Sequence, residues 1–187
     1  MDSGGPAGPP VFFAIPNPNK ERPVPEQTTV IAPHPFIPGE DEEVQLAHAA
    51  RKGEPGELGA LACKLYDENP NLTEEEAYEA FIGWVESRDI ELWPHQEEAL
   101  MSIMVGDHVI LGTPTGSGKS LVALGMHFIA MCFGERSYYT APIKALVSEK
   151  FFNLVDILGR ENVGMITGDV HINTSAPVIC CTEEILA

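Results

Sequence analysis

The period of apolar positions changes along this chain, and the changes divide it. Residues 1–40 sustain no period. Ten of the sixteen prolines fall there, around one apolar island, Val11-Phe12-Phe13-Ala14-Ile15. Proline fixes φ and cannot donate to a ladder, so this stretch reads as a disordered tail, with docking of the island on a domain as the alternative. Residues 41–52 read as a short helix, with Asp41-Glu42-Glu43 at its start and Arg51-Lys52 at its end, charges that suit the helix dipole. A second helix runs from Leu58 to Tyr66 and stops near Asn69-Pro70. Thr73-Glu74-Glu75-Glu76 forms a capping box for a third, which reaches about Ser87 and places Ala77, Ala80, Phe81 and Trp84 on one face. Residues 41–88 are thus a helical lead-in without internal repeats.

From residue 89 onward the texture is different. Pro94 suits the first position of a helix through Met104. Strands then alternate with helices: strands at Asp107–Gly112, Arg136–Ala141, Val163–Thr167 and Pro177–Cys181, helices at Gly118–Phe133 and Pro142–Leu158, and a helix beginning at Thr182–Ala187. Such alternation predicts an α/β domain over residues 89–187, with a parallel sheet and helices on both faces. Its ligand surface lies at the carboxyl ends of the strands.

The first of those ends is the most specific. Thr113-Pro114-Thr115-Gly116-Ser117-Gly118-Lys119-Ser120 stands between an apolar run and a helical pattern. That context makes it a phosphate-binding loop. Gly116 and Gly118 permit a tight turn with inward amides, and the following helix N-terminus adds its positive end. Lys119 brings a full charge to the β- and γ-phosphates, and the Ser120 hydroxyl suits a bridging Mg²⁺. Thr113 stands where the strict pattern has glycine. Upstream, Gln96 in Trp93-Pro94-His95-Gln96 carries an amide able both to donate to and accept from an adenine edge; an exposed helix position is the plainer reading.

Three further loops follow strands. Thr140-Ala141-Pro142-Ile143-Lys144-Ala145-Leu146 offers a helix N-terminus and a lysine to a phosphate, and equally suits an ordinary turn capped by Thr140. Thr167-Gly168-Asp169-Val170-His171 is a tight turn. Thr182-Glu183-Glu184-Ile185-Leu186 places Thr182 as an N-cap candidate.

Charge refines this picture. The formal net charge is −17, and residues 1–107 hold 6 basic and 21 acidic side chains against 5 and 7 in residues 108–187. Such a surface argues against gripping nucleic acid by overall charge and confines any grip to local loops. Cys63, Cys132, Cys180 and Cys181 lack metal-ligand spacing and read as free thiols of a reducing, cytoplasmic compartment. No apolar run is long enough to span a bilayer.

Taken in order, these segments resemble the first half of a superfamily 2 DEAD/DExH-box helicase core, most closely the superkiller-like RNA helicases. Trp93-Pro94-His95-Gln96 with Ala99-Leu100 is similar to the adenine-recognition segment, and Thr113–Ser120 to motif I. Ala141–Leu146 is similar to motif Ia, Gly164–Val170 with Ile172-Asn173 to motif Ib, and Thr182–Leu186 to motif Ic. The resemblance covers about residues 90–187. It implies a RecA-like domain that binds ATP and Mg²⁺, with Gln96 on adenine, Thr113, Pro114, Thr115, Gly116, Ser117, Gly118 and Lys119 around the phosphates, Lys119 also catalytic, and Ser120 on the metal. It further implies Pro142, Lys144, Thr167, Gly168 and Thr182 along the backbone of a single strand, RNA in preference to DNA. Motif II and a second RecA-like domain are not found before Ala187. On that ground the chain is expected to be the N-terminal part of a helicase, inactive alone. The competing expectations are a stand-alone nucleotide-binding or interaction module and part of a DNA translocase.

Overall fold

A computed structural model describes residues 53–113 and 116–186 in full and the backbone of residues 11–15 and 28–31. The helix expected over residues 41–52, the rest of the 1–40 tail, Pro114 and Thr115 lie outside the described residues. The elements in chain order are β1 (Val11–Ile15), β2 (Thr28–Ile31), α1 (Glu57–Glu68), α2 (Glu74–Glu86), α3 (Pro94–Met104), β3 (His108–Leu111), α4 (Lys119–Cys132), β4 (Arg136–Ala141), α5 (Lys144–Leu158), β5 (Val163–Ile166), β6 (His171–Ile172) and β7 (Val178–Thr182). A single 3₁₀ turn, Glu183–Ile185, stands where a helix was expected to begin.

Helix α4 is the axis. Every residue from Leu121 to Cys132 is buried, including His127. A helix that is apolar all round must be covered all round. Strands β1 and β4 lie against it on one side, and α1, α2 and α3 pack on it as well. Leu58, Phe81, Leu100 and Phe128 belong to one hydrophobic cluster, so the helical lead-in shares its core with the α/β region. Each such large side chain contributes about 1.5–3 kcal/mol on burial. Gly125 makes the closest approach possible: a Cβ there would stand 2.9 Å from the Phe81 ring. The capping box of α2 forms as expected, with Glu76 N–H donating to Thr73 Oγ1 (3.2 Å) and Thr73 N–H to Glu76 Oε2 (2.9 Å). Arg88, past the end of α2, donates to Glu57 Oε2 at 2.7 Å and lies over the Trp84 ring, fastening α1 to α2.

The sheet departs from expectation in three ways. It is mixed: in the order β1-β4-β7-β5-β6, the central strands β4, β7 and β5 are parallel, but β1 and β6 are antiparallel to their neighbours. Secondly, the phosphate-loop strand β3 is paired with β2 in a separate two-stranded sheet. Thirdly, the helices in contact with the large sheet, α4 and α5, share one cluster with Tyr139, Met165, Val178 and Cys180, whereas Ile179 and Cys181 of the other face join a small cluster with Ala176. Alternation of side chains across a strand produces this division. The fold is nonetheless α/β and RecA-like, with a mostly parallel sheet flanked by helices.

Two strands also correct the expectation of a structureless tail. Val11–Ile15 pairs with β4 from Val11↔Thr140 to Ile15↔Arg136, and Thr28–Ile31 pairs with β3. Both runs are free of proline and rich in β-branched or aromatic residues, and both add at sheet edges. Among the described residues no helix is long and apolar enough to cross a membrane.

Two glycines predict opposite outcomes. At Gly59 of α1 a Cβ would collide with the backbone carbonyl of Leu158, whereas at exposed Gly83 of α2 it would meet nothing within 4 Å. Gly59→Ala should destabilise the chain by about 1–3 kcal/mol, and Gly83→Ala should stabilise it by about 0.5–1 kcal/mol. Urea unfolding of the two variants beside the parent checks both signs.

His127 predicts a pH dependence. Its Nδ1 lies 2.8 Å from Ser137 Oγ, and burial, aided by the Lys150 charge, lowers its pKa from 6.5 to about 3. Above pH 6.5 the ring is neutral whether the chain is folded or not. Below it the unfolded chain takes up the proton first, so stability falls progressively towards pH 3. Between pH 7.5 and 5, before most carboxylates titrate, the loss should be about 2 kcal/mol. Urea midpoints across that range measure it, and His127→Gln should flatten the curve.

Candidate nucleotide and strand-binding site

The phosphate loop is built from two left-handed glycines. Gly116 has φ 85° and Gly118 has φ 70°, a region that side chains resist. Gly118 is also the N-cap of α4, so the helix begins at Lys119 as the loop ends. Lys119 Nζ donates to Thr113 O at 3.2 Å, folding its charge back across the loop, and Thr113 Oγ1 and Ser117 Oγ are hydrogen-bonded at 2.5 Å. Threonine at position 113 thus adds a side-chain tie that glycine could not.

A second tie comes from the first turn of α3. His95 Nε2 lies 2.8 Å from Ser117 O, so Nε2 carries the proton and the carbonyl accepts it. Gln96 Nε2 donates to Gly118 O at 2.9 Å, and Gln96 Oε1 accepts from Trp93 N–H at 2.9 Å. Gln96 is 0% exposed. It is therefore not the exposed helix residue of the plainer reading, and it joins the start of α3 to the end of the phosphate loop. His95, to which the sequence reading gave no role, does the same one residue earlier.

Ser120, expected on a metal, accepts a hydrogen bond from Lys150 Nζ of α5 at 3.0 Å. Lys150 was not singled out from the sequence. It sits on the same helix face as buried Val147 and Leu154, and a lysine in an apolar stripe is the signal that could have found it. Beside it lies a small recess lined by Ser120, Ala123, His127, Tyr139, Lys150 and Leu154. The Ser120 hydroxyl is an oxygen donor of the kind Mg²⁺ takes, so the residue present fits the metal.

The remaining expected contacts converge at the carboxyl ends of β4, β7 and β5. Ala141 pairs with Thr182, and Ile166 with Cys181, so the three following loops emerge side by side with Thr182 in the middle. Lys144 and Gly168 are exposed and Pro142 is half-buried. Thr167 and Thr182 are buried. Thr182 Oγ1 has no hydrogen-bond partner among the described residues, and it does not cap the 3₁₀ turn that follows. Helix α5 likewise has Ile143, not Thr140, at its N-cap. Lys144 reaches across to Asp169, at 2.6 and 2.7 Å from its two carboxylate oxygens, and Thr167 Oγ1 donates to the same carboxylate at 3.1 Å. These bonds hold the Asp169 carboxyl below its usual range, Lys144 having the largest effect. The turn closes with Thr167 N–H donating to Val170 O at 2.8 Å and leads into β6, a strand the sequence reading did not anticipate.

The DEAD/DEAH box helicase family matches residues 93–185. The chain is 36% identical over 91 residues to Probable helicase HelY of Mycobacterium tuberculosis, covering 49% of this chain and 10% of that protein. It is 40% identical over 98 residues to Antiviral helicase SKI2 of Saccharomyces cerevisiae, covering 51% and 8%. It is 28% identical over 160 residues to the DExH-box ATP-dependent RNA helicase DExH11 of Arabidopsis thaliana, covering 86% and 10%. The chain therefore spans about a tenth of the length of these relatives. An ordered set of strand-end loops, a phosphate loop clamped from α3 and a matching family profile lead to one conclusion: through residues 93–185, the chain belongs to the DEAD/DEAH box helicases.

Proposed function

We propose that this chain is the nucleotide-binding part of an ATP-dependent helicase that acts on single-stranded RNA. The observation that carries the reading is the junction of Lys119, at the first position of α4, with a loop whose carbonyls are held by His95 and Gln96. Held this way, Ser117, Gly118 and the N-terminus of α4 are fixed in place where a triphosphate would meet them. Lys119 turns from Thr113 O to the β- and γ-phosphates. Ser120 would hold Mg²⁺, which would supply positive charge to the phosphate oxygens. Gln96 fixes Gly118 at the end of the phosphate loop, and its amide is the group that selects adenine.

The loops after β4, β5 and β7 take one strand along its sugar–phosphate backbone, with Lys144, Pro142 and Gly168 outermost. Backbone contacts position without reading sequence, so the grip is sequence-independent. RNA is the favoured strand because the wording of Ala141–Leu146 resembles superkiller-like proteins and because a relative is named as an RNA helicase. Four free thiols suit a reducing compartment such as the cytoplasm.

The test is equilibrium binding of a fluorescent ATP analogue with and without Mg²⁺. Tight, Mg²⁺-dependent binding is expected. Lys119→Ala should weaken it by about a hundredfold, the equivalent of two charge-assisted hydrogen bonds. Equal affinity of the parent and Lys119→Ala would remove the nucleotide assignment. In parallel, unlabelled RNA and DNA of one sequence competing for the chain decide the strand: a DNA preference points to a translocase instead.

A further inference from the structure

The strand loops contain an anion of their own. We infer that the Asp169 carboxylate occupies a phosphate position of the bound strand, so that strand and side chain compete for it. This rests on the placement of the strand under Proposed function.

Three features support the inference. Two groups assigned to the strand, Lys144 Nζ from the loop after β4 and Thr167 Oγ1 from the loop after β5, meet on this one carboxylate. Lys144 contacts both oxygens, as an ammonium would straddle two oxygens of a phosphodiester. The third feature is position. The pair spans the end of β7, where Thr182 lies between the two loops. Asp169 itself is exposed and Lys144 partly so, with side-chain exposures of 69% and 46%, which keeps the contact within reach of a ligand.

An exposed ion pair of this kind is weak, so a phosphate can displace it. In the free chain the pair neutralises Lys144 and keeps the loops from binding anions indiscriminately. On binding, Lys144 and Thr167 transfer their donors to the phosphate, and Asp169 swings outward into water. Asp169 is thus a residue that sets strand affinity, acting through Lys144.

A double-mutant cycle on the whole chain tests this, using anisotropy of a labelled single-stranded RNA. Asp169→Asn should tighten binding by about fivefold, the scale of one exposed ion pair. Lys144→Met should weaken it, and Asp169→Asn should then have a much smaller effect in the Lys144→Met background, where only the Thr167 hydroxyl remains to be released. Glu183→Gln, an acid beside the same loops without these contacts, controls for net charge. An equal gain in both backgrounds, or from Glu183→Gln, reduces Asp169 to general repulsion and overturns the inference. Weaker binding by Asp169→Asn also overturns it, since Asp169 would then be holding Lys144 in place for the strand. If the parent and Lys144→Met bind alike, the placement of the strand fails, and the inference with it.

Discussion

Burial of α4 on every side is the constraint from which the rest follows. A surface helix needs one covered flank, but this one, from Leu121 to Cys132, exposes no residue. The sheet can cover only part of it. Helices α1, α2 and α3 close the remainder. This makes the residues before the α/β region structural partners of the phosphate loop. Anything that loosens α1 or α2 uncovers the helix whose first turn carries Lys119 and Ser120.

The same packing explains how the loop is held. Helix α3 lies on α4, and its first turn arrives beside the loop's last carbonyls, where His95 and Gln96 donate. A phosphate site needs amides facing inward, so its carbonyls must face outward and find donors elsewhere. Two side chains from a neighbouring helix supply them. The proposed nucleotide and strand surfaces are linked through α5 in a similar way: its N-terminal Lys144 bonds Asp169 of the loop after β5, and Lys150, two turns on, reaches Ser120.

Most elements could be read from the sequence because their signals are local. The capping box at Thr73, Pro94 at a helix start and the glycines at 116 and 118 act within a few residues. So does the alternation of strands and helices from residue 108, and apart from the helix expected at Thr182, where a 3₁₀ turn stands, each appears within one or two residues of its expected place. What could not be read depends on residues distant in the chain. Pairing of Val11–Ile15 with β4 joins segments more than a hundred residues apart, and no periodicity encodes a partner. The separation of β3 from the large sheet is likewise a matter of topology. At the site, Gln96 was recognised as special from its neighbours, but its bond to Gly118 spans 22 residues. Lys150 and Asp169 escaped because each looks ordinary until its partner is known.

The cysteines, finally, make the native chain a chemically addressable object. Cys132, Cys180 and Cys181 are buried, and burial pushes their thiols up to about 12, 12 and 11. They stay protonated and out of reach while the core is closed. Cys63 alone is exposed, with Asn162 as its hydrogen-bond partner. Burial and the nearby Asp67 and Glu161 raise its pKa as well, so it reacts slowly, but it reacts first. An alkylating dye therefore marks one position on the closed molecule, and each additional adduct records an opening of α4 or of β7.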